Sequence, residues 1–241
     1  MNTSKMDIVY FVKDGRFNEE FRYSLRSVCK NMPYNRIWVF GGCPKSVTPD
    51  VRVRVEQEGK TKWDRVRTMF RMAAENKEIT DDFILFNDDF FIMKPMDKIV
   101  PLYRCGLDEH IEILDKAYRN SSYSGIVKEV RDELIKKVDN PLSYELHVPF
   151  VFNKKKLLKL IDEYPDQHCT RTLYGNLYKI GGEQSSDVKI FSMNPPFDYK
   201  ESPMLSTDDG IVNVNNDIWR FIRKSFPYEC KYEIDNKSNW R

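Results

Sequence analysis

The chain has 241 residues, of which 41% are hydrophobic and 13% aromatic, which is enough for one large domain with a substantial core. Its formal net charge of +2 does not indicate nucleic acid or a membrane surface as a necessary partner. The five cysteines lack CxxC spacing, and no stretch approaches the ~18 apolar residues of a membrane span, so we expect a cytoplasmic protein without disulfides, structural zinc or a membrane span.

The first half of the sequence alternates between strand and helix patterns. Apolar runs typical of strands occur at residues 8–12, 37–40 and 83–86, and the strict alternation over 51–55 predicts a half-exposed or edge strand. Amphipathic patterns predict helices that begin at Glu19, behind Asn18 as N-cap, and over 64–75. The order strand, helix, strand, strand, helix, strand is typical of an α/β fold with a mostly parallel sheet and right-handed crossovers.

The second half is predicted to be richer in helices and loops. Amphipathic spacing predicts helices over 107–119 and 124–138, and a strand over 144–152 that Pro149 makes irregular or places at an edge. Asn153 is predicted to cap the next helix, and Asn216 with Asp217 a last one. Residues 169–187 are predicted to be rich in loops, and residues 205–210 are predicted to form a turn. We expect a single domain over 1–241.

One segment, FILFNDDFFIMKP at 83–95, places Asp88 and Asp89 between two apolar runs. Adjacent carboxylates beside buried strands are costly unless something pairs with them, and a divalent cation is the usual partner. We therefore predict that Asp88 and Asp89 are metal ligands for Mn²⁺ or Mg²⁺. The alternative is a polar turn in which an aspartate caps a neighbouring element. The apolar flanks favour the metal site, because surface turns rarely lie between such runs.

Several segments resemble a known family in the same order along the chain. They are DIVYFV at 7–12, NEEFRYSLRSV at 18–28, FNDDFF at 86–91, ELHVP at 145–149 and FPYECKYE at 226–233. Together they resemble the Stealth proteins, bacterial capsular hexose-1-phosphate transferases related to the animal N-acetylglucosamine-1-phosphotransferase. More loosely, the chain is similar to a small GT-A glycosyltransferase. The last segment has Cys230-Lys231 where that family has a serine before its Tyr-Glu pair.

The resemblance implies a GT-A-like fold, a nucleotide-sugar donor, a divalent metal and a hydroxyl-bearing acceptor. Residues 1–100 would then form the half that binds the nucleotide sugar, and 101–241 the half that binds the acceptor. A guanidinium suits a diphosphate because it binds phosphate in a bidentate way. The residues expected to bind the donor are Asp14, Arg22, Arg26, Lys62, Arg67 and Asp88. Asp89 and Arg171 are expected to be catalytic residues, with Arg171 a further candidate for contact with phosphate. For the arginines, the alternative is a solvated face paired with glutamates.

His147 is the predicted general base. It lies in the expected strand at 144–152, and Glu145, two residues earlier on the same face, could orient it. The alternative is a packed histidine beside a proline. A second acidic pair, Asp208 and Asp209, is explained equally well by a turn.

Two classes of function remain from the sequence, with a third less favoured. The first is a metal-dependent transferase that moves a sugar, or a sugar phosphate, to a glycan, a wall polymer or a hydroxylated nucleobase of modified DNA. The second is a protein that binds nucleotide or carbohydrate without catalysis. A metal-dependent nuclease or phosphatase is less favoured, because such enzymes use several scattered carboxylates. Glycosyl transfer is preferred over phosphotransfer because the chain is short and its terminal segment departs from the Stealth pattern.

Overall fold

The computed structural model describes residues 3–15, 18–57, 60–117, 121–212 and 216–234. The strands in these residues are β1 (Asp7–Val12), β2 (Ile37–Gly41), β3 (Val51–Val53), β4 (Asp82–Asn87), β5 (Phe90–Ile92), β6 (Leu102–Tyr103), β7 (Phe150–Asn153), β8 (Glu183–Gln184), β9 (Lys189–Ile190) and β10 (Met204–Thr207). The helices are α1 (Glu19–Asn31), α2 (Lys62–Glu75), α3 (Leu107–Ala117), α4 (Ser122–Leu134), α5 (Lys154–Glu163), α6 (Thr170–Leu177), α7 (Asp209–Val212) and α8 (Asp217–Ser225).

The main sheet has five strands in the order β3-β2-β1-β4-β7. The first four strands in this order are parallel, and β7 joins the edge antiparallel to β4. Helices cover both faces, so the predicted α/β class with a mostly parallel sheet is confirmed, in an arrangement compatible with a Rossmann-like fold. The predicted edge positions of β3 and of the strand after Pro149 are also confirmed.

The central strands are buried on both faces because successive side chains point to opposite sides of a sheet. Val9 and Phe11 of β1 pack into a core shared with residues of α2, α3, α4, α5 and α6. Ile8, Tyr10 and Val12 pack on the other face, into a core shared with α1. The apolar face predicted for α1 is the one that this second core buries.

A second sheet of three strands, β5-β10-β9, continues from the end of β4. Helix α1 satisfies the backbone of β5 with its own polar side chains. The Ser24 hydroxyl donates to the carbonyl of Phe90 at 2.5 Å, and the Asn31 amide donates to the carbonyl of Ile92 at 2.6 Å. The Ser27 hydroxyl accepts the backbone N–H of Ile92 at 2.9 Å. These bonds attach the second sheet to the helix that follows β1.

Two segments differ from the sequence predictions. Residues 170–177, expected to be loop, form α6, whose N-cap Cys169 makes no side-chain cap. The burial of Leu173 and Tyr174 in the core stabilises this helix instead. Residues 205–207, expected to be a turn, belong to β10, because pairing with β5 satisfies their backbone in a buried position.

The strand predicted over 144–152 is shorter than expected. Residues 144–149 are irregular, and β7 begins at Phe150, directly after Pro149, whose missing N–H prevents a regular ladder. The strand predicted over 51–55 ends at Val53, and the helix predicted to reach 138 ends at Leu134. The predicted end of the helix at 118–119 lies outside the described residues. None of the helices in the described ranges combines the length and apolar character needed to cross a membrane.

The contacts between α1 and β5 give a first prediction. Ser27→Ala should lower the free energy of unfolding by about 1–3 kcal/mol, because the buried N–H of Ile92 loses its acceptor. Urea denaturation measures the effect, with the exposed Ser122→Ala as the control. Equal stability of the two variants would contradict this role of Ser27.

Candidate functional site

The candidate site lies at the carboxyl ends of β1 and β4. The chain passes from β1 to β2 on one side, whereas β4 joins β1 on the other side. In open α/β sheets, ligands bind in the crevice formed where the strand order reverses in this way. Asp88 and Asp89 occupy the turn between β4 and β5, so both carboxylates lie at this edge, where the main sheet leads into the second sheet.

Asp88 is tied to the beginning of α1. The Asn18 side chain caps α1 by accepting the backbone N–H of Phe21 at 2.8 Å, and its amide donates to Oδ2 of Asp88 at 2.6 Å. Burial, followed by the charge of Asp89, raises the pKa of Asp88 to about 6. The capping residue of α1 therefore also positions a carboxylate of the site.

Asp89 is buried and already has two partners from the second sheet. Its Oδ2 accepts hydrogen bonds from Nζ of Lys189 at 2.6 Å and from the hydroxyl of Ser206 at 2.7 Å. The Lys189 and Asp89 side chains are 13% and 11% exposed, so this ion pair is largely withdrawn from water. Lys189 lies on β9 and Ser206 on β10, and the pairing of these strands places both beside Asp89.

Glu20, in the first turn of α1, adds a third carboxyl group to Asp88 and Asp89, and like Asp89 it is buried. Its Oε1 accepts the hydroxyl of Thr207 at 2.6 Å. Burial is the main cause that raises the pKa of Glu20 to about 8, and the charges of Asp88, Asp89 and Asp209 add to it. Glu20 therefore carries a proton near neutral pH. Asp209, which the sequence left as a turn residue, contributes charge to this cluster.

His147 is held by Asp187. Its Nδ1 lies 2.9 Å from Oδ2 of Asp187, and its backbone N–H donates to Oδ1 at 3.1 Å. The expectation that Glu145 orients His147 is wrong. The Glu145 carboxylate accepts the backbone N–H and the hydroxyl of Thr172, because α6 lies where a loop was expected.

Arg171 is buried behind this segment. Its Nη1 donates to the carbonyls of Leu146 at 2.6 Å and Val148 at 2.8 Å, the residues on either side of His147. The guanidinium carbon also lies 5.6 Å from the ring centroid of Phe90, next to Asp89 in sequence. The structure thus shows Arg171 bracing the backbone around His147, and its predicted contact with phosphate stays a prediction.

Arg22 and Arg26 contact the C-terminal segment of the described chain. Arg26 forms a bidentate pair with Glu233, with both N···O distances 2.6 Å, and donates to the carbonyl of Phe226. Arg22 pairs with Glu19 at 2.8 Å and lies 3.6 Å from Glu233. Two of the segments that carry the family resemblance therefore bind each other, and donor contact by these arginines stays a prediction.

Asp14 lies in the loop after β1, and Lys62 and Arg67 lie on α2. The backbone N–H of Asp14 donates to Gln57, whose amide donates to the carbonyl of Val12, so the loops after β1 and β3 are joined at the carboxyl edge. Lys62 is exposed at the first turn of α2. Arg67 donates to backbone carbonyls at the end of α5, which accounts for its position without a ligand. Their predicted role in donor binding remains untested.

The acidic cluster contains carboxylates that could hold a divalent cation. Burial and mutual repulsion raise the pKa values of Asp88 and Glu20, so a cation among these oxygens would relieve both effects. Hard carboxylate oxygens are the ligands that Mg²⁺ and Mn²⁺ prefer. In the described ranges, no group of three or more acidic, histidine or cysteine side chains is already arranged around a metal position. The donor set fits such an ion through Asp88 and Asp89, with Lys189 as the present partner of Asp89.

Sequence reasoning missed five members of the site: Glu20, Asp187, Lys189, Ser206 and Thr207. Glu20 has a signal, its place in the first turn of the helix directly after β1, but the favourable interaction of a carboxylate with the helix dipole is sufficient to explain a glutamate there. Asp187 lies in the segment expected to be loop-rich, Ser206 and Thr207 lie in the expected turn, and no element was predicted at Lys189. Strands β9 and β10 bring Lys189, Ser206 and Thr207 to the acidic cluster.

Comparison of the sequence with protein-family models and with curated proteins gave no match.

The buried carboxyl of Glu20 gives a prediction for pH dependence. Its pKa is about 8 in the folded protein against an ordinary value of 4.5, so the folded state binds the extra proton between these values. The stability that this group contributes is fully present below pH 4.5 and is lost as the pH rises toward 8. Between these values the free energy of unfolding should fall by at most about 1.4 kcal/mol for each pH unit.

Glu20→Gln removes this titration. As the pH rises from 5 to 8, the free energy of unfolding of the wild type should therefore fall relative to that of Glu20→Gln. Urea denaturation across this range measures the difference, with the exposed Glu56→Gln as the matched control. If the difference in unfolding free energy between Glu20→Gln and the wild type does not change between pH 5 and 8, Glu20 is ionised in the folded protein over this whole range.

Proposed function

We propose that this protein is a metal-dependent transferase with a GT-A-like fold, which moves a sugar from a nucleotide-sugar donor to a hydroxyl-bearing acceptor. The observation that carries the proposal is the pair of half-buried Asp88 and buried Asp89 at the carboxyl ends of parallel strands, joined through Lys189 and Asp187 to His147. A site that holds diphosphate needs positive charge, and a site that activates a hydroxyl needs a base. This arrangement offers a place for each function within one network.

The donor would lie over the edge formed by β1 and β4. Asp88 and Asp89 would hold Mn²⁺ or Mg²⁺, which when bound supplies positive charge for the diphosphate as the nucleotide leaves. The loop at Asp14, at the end of β1, is placed to contact the base or the ribose. Lys189 contributes a fixed positive charge beside Asp89, and it is a candidate for the phosphate contact that sequence reasoning had assigned to arginines.

The acceptor hydroxyl would be activated by His147. The side chain of His147 is 37% exposed although Asp187, which holds it, is only 12% exposed. An imidazole with one nitrogen bound to a buried carboxylate and a ring open to solvent can take a proton from a hydroxyl. The acceptor classes that fit are a glycan, a wall polymer and a hydroxylated base of modified DNA, and the segments 100–143 and 165–210 would select among them.

The metal assignment predicts a specific loss in Asp89→Asn. This variant keeps the hydrogen bond from Ser206 and the fold, but it should lose Mn²⁺-dependent binding of nucleoside diphosphates and at least about 90% of turnover, a barrier increase of roughly 1.4 kcal/mol or more. Thermal shift with a panel of nucleoside diphosphates, with and without Mn²⁺, measures binding through linkage.

The matched control for this variant is the exposed Asp139→Asn. Turnover of Asp89→Asn within about tenfold of the wild type would contradict the metal assignment. Nucleotide-independent binding of glycans, with no transfer, would instead support the non-catalytic carbohydrate-binding alternative.

The released nucleotide distinguishes glycosyl transfer from sugar-phosphate transfer. Attack of the hydroxyl on the anomeric carbon releases nucleoside diphosphate, whereas attack on the phosphorus attached to the sugar releases nucleoside monophosphate. We expect diphosphate, identified by chromatography of reactions with a panel of nucleotide sugars. Stoichiometric monophosphate would establish the Stealth-like reaction on the same residues.

A further inference from the structure

We propose that Asp187 is the positioning residue that sets the tautomer of His147 and thereby makes Nε2 of the ring the proton acceptor. This inference rests on the proposed function and deepens it. It starts from two contacts between the residues, the 2.9 Å contact of Nδ1 with Oδ2 and the 3.1 Å bond from the backbone N–H to Oδ1. One carboxylate therefore holds both the ring and the main chain of His147.

Asp187 is itself held from two other directions. Nη2 of Arg104 donates to its Oδ2 at 2.5 Å, and the backbone N–H of Lys189 lies 3.3 Å from Oδ1. Arg104 Nη2 also lies 3.2 Å from the carbonyl of Glu145, two residues before the histidine. Because these partners and Arg171 together fix both the carboxylate and the segment around His147, the ring has little freedom to change its orientation.

The carboxylate is ionised in this environment. Burial acts to raise the pKa of Asp187, but the hydrogen bond and charge of His147, followed by the charge of Arg104, hold that pKa well below its ordinary range. The charged and titratable groups that interact with Asp187 besides His147 include Arg104, His110, Tyr123 and Arg171, and Lys189 approaches it through its backbone N–H. An ionised carboxylate accepts hydrogen bonds only, so the neutral ring must carry its hydrogen on Nδ1.

The consequence for the reaction follows from this tautomer. With the hydrogen on Nδ1, the lone pair of Nε2 is free to take the proton of an acceptor hydroxyl. As the hydroxyl oxygen forms its bond to the anomeric carbon, the O–H electron pair stays on that oxygen. The bond from that carbon to the donor phosphate breaks, and its electron pair leaves with the nucleoside diphosphate. Asp187 then stabilises the imidazolium, since opposite charges at hydrogen-bond distance favour the charged form of the ring.

The variant Asp187→Asn separates this role from a purely structural one. Its side-chain oxygen can still accept the backbone N–H of His147, but its amide would donate to Nδ1 and so place the ring hydrogen on Nε2. Nitrogen-15 spectra of the imidazoles at high pH report the tautomer, and His147→Ala assigns its signals among the three histidines. We expect the Nδ1–H form in the wild type and the Nε2–H form in Asp187→Asn.

Turnover should follow the tautomer. We expect Asp187→Asn to lower kcat by about 10²–10⁴-fold with little change in donor affinity, the range that loss of a positioned base produces. Asp187→Glu, which keeps the charge, should restore part of kcat and the Nδ1–H form. The exposed Asp198→Asn, in the same half of the chain, is the matched control and should change neither readout.

The two measurements distinguish failure of this inference from failure of the proposed function. An Nδ1–H ring in Asp187→Asn, or a kcat within about tenfold of the wild type, would overturn the role of Asp187 even if the protein is a transferase. If the wild type transfers no sugar from any donor in the panel, the proposed function fails and the base role of His147 fails with it. A change of tautomer in Asp187→Asn would then show only that Asp187 and His147 are hydrogen-bonded as a structural pair.

Discussion

The structure depends on the burial of negative charge where β4 leads into β5. Asp88 and Asp89 lie between the five-stranded sheet and the three-stranded sheet, and the apolar runs on either side of them are buried. Carboxylates in such a place are unfavourable unless they are hydrogen-bonded and paired. Asn18 supplies one partner, and Lys189 and Ser206 supply the others. The junction of the two sheets is therefore also the place where polar groups from distant parts of the chain must meet.

The same requirement explains how α1 connects fold and site. Its N-cap binds Asp88, its first turn supplies Glu20, and its third and fourth turns satisfy the backbone of β5. Its outer side binds the C-terminal segment of the described chain through Arg26 and Glu233. The arginines for which the sequence suggested a role in phosphate binding thus have protein partners, and the fold places the cation of Lys189 directly on Asp89.

The segment 187–189 links the two halves of the proposed chemistry. Asp187 holds His147, and Lys189, two residues later, holds Asp89. Arg171 supports the backbone of the His147 segment from behind. The backbone N–H of Lys189 also lies 3.3 Å from Oδ1 of Asp187, so the groups that contact Asp89 and His147 are joined by one short stretch of chain.

Local patterns in the sequence were sufficient for the main sheet and for the position of the acidic pair. Buried parallel strands are continuous apolar runs, and capping residues mark the starts of α1, α5 and α8, so these elements could be predicted without a structure. The carboxylates at 88–89 stood out because polar residues between such runs are rare. The His147 segment stood out through its place in an expected strand together with the family resemblance, and its predicted partner Glu145 was wrong.

Only the tertiary structure decided which side chains complete the site. Lys189 and Ser206 lie 100 and 117 residues after Asp89, in the short strands β9 and β10, and Asp187 lies just before β9. Strand β10 pairs with β5 and β9 pairs with β10, whereas α6 is stabilised by burial rather than by a cap. Such elements carry little local signal, since their stability comes from contacts between segments far apart in sequence. The sequence by itself determined where the carboxylates lie on the sheet, and long-range pairing determined what surrounds them.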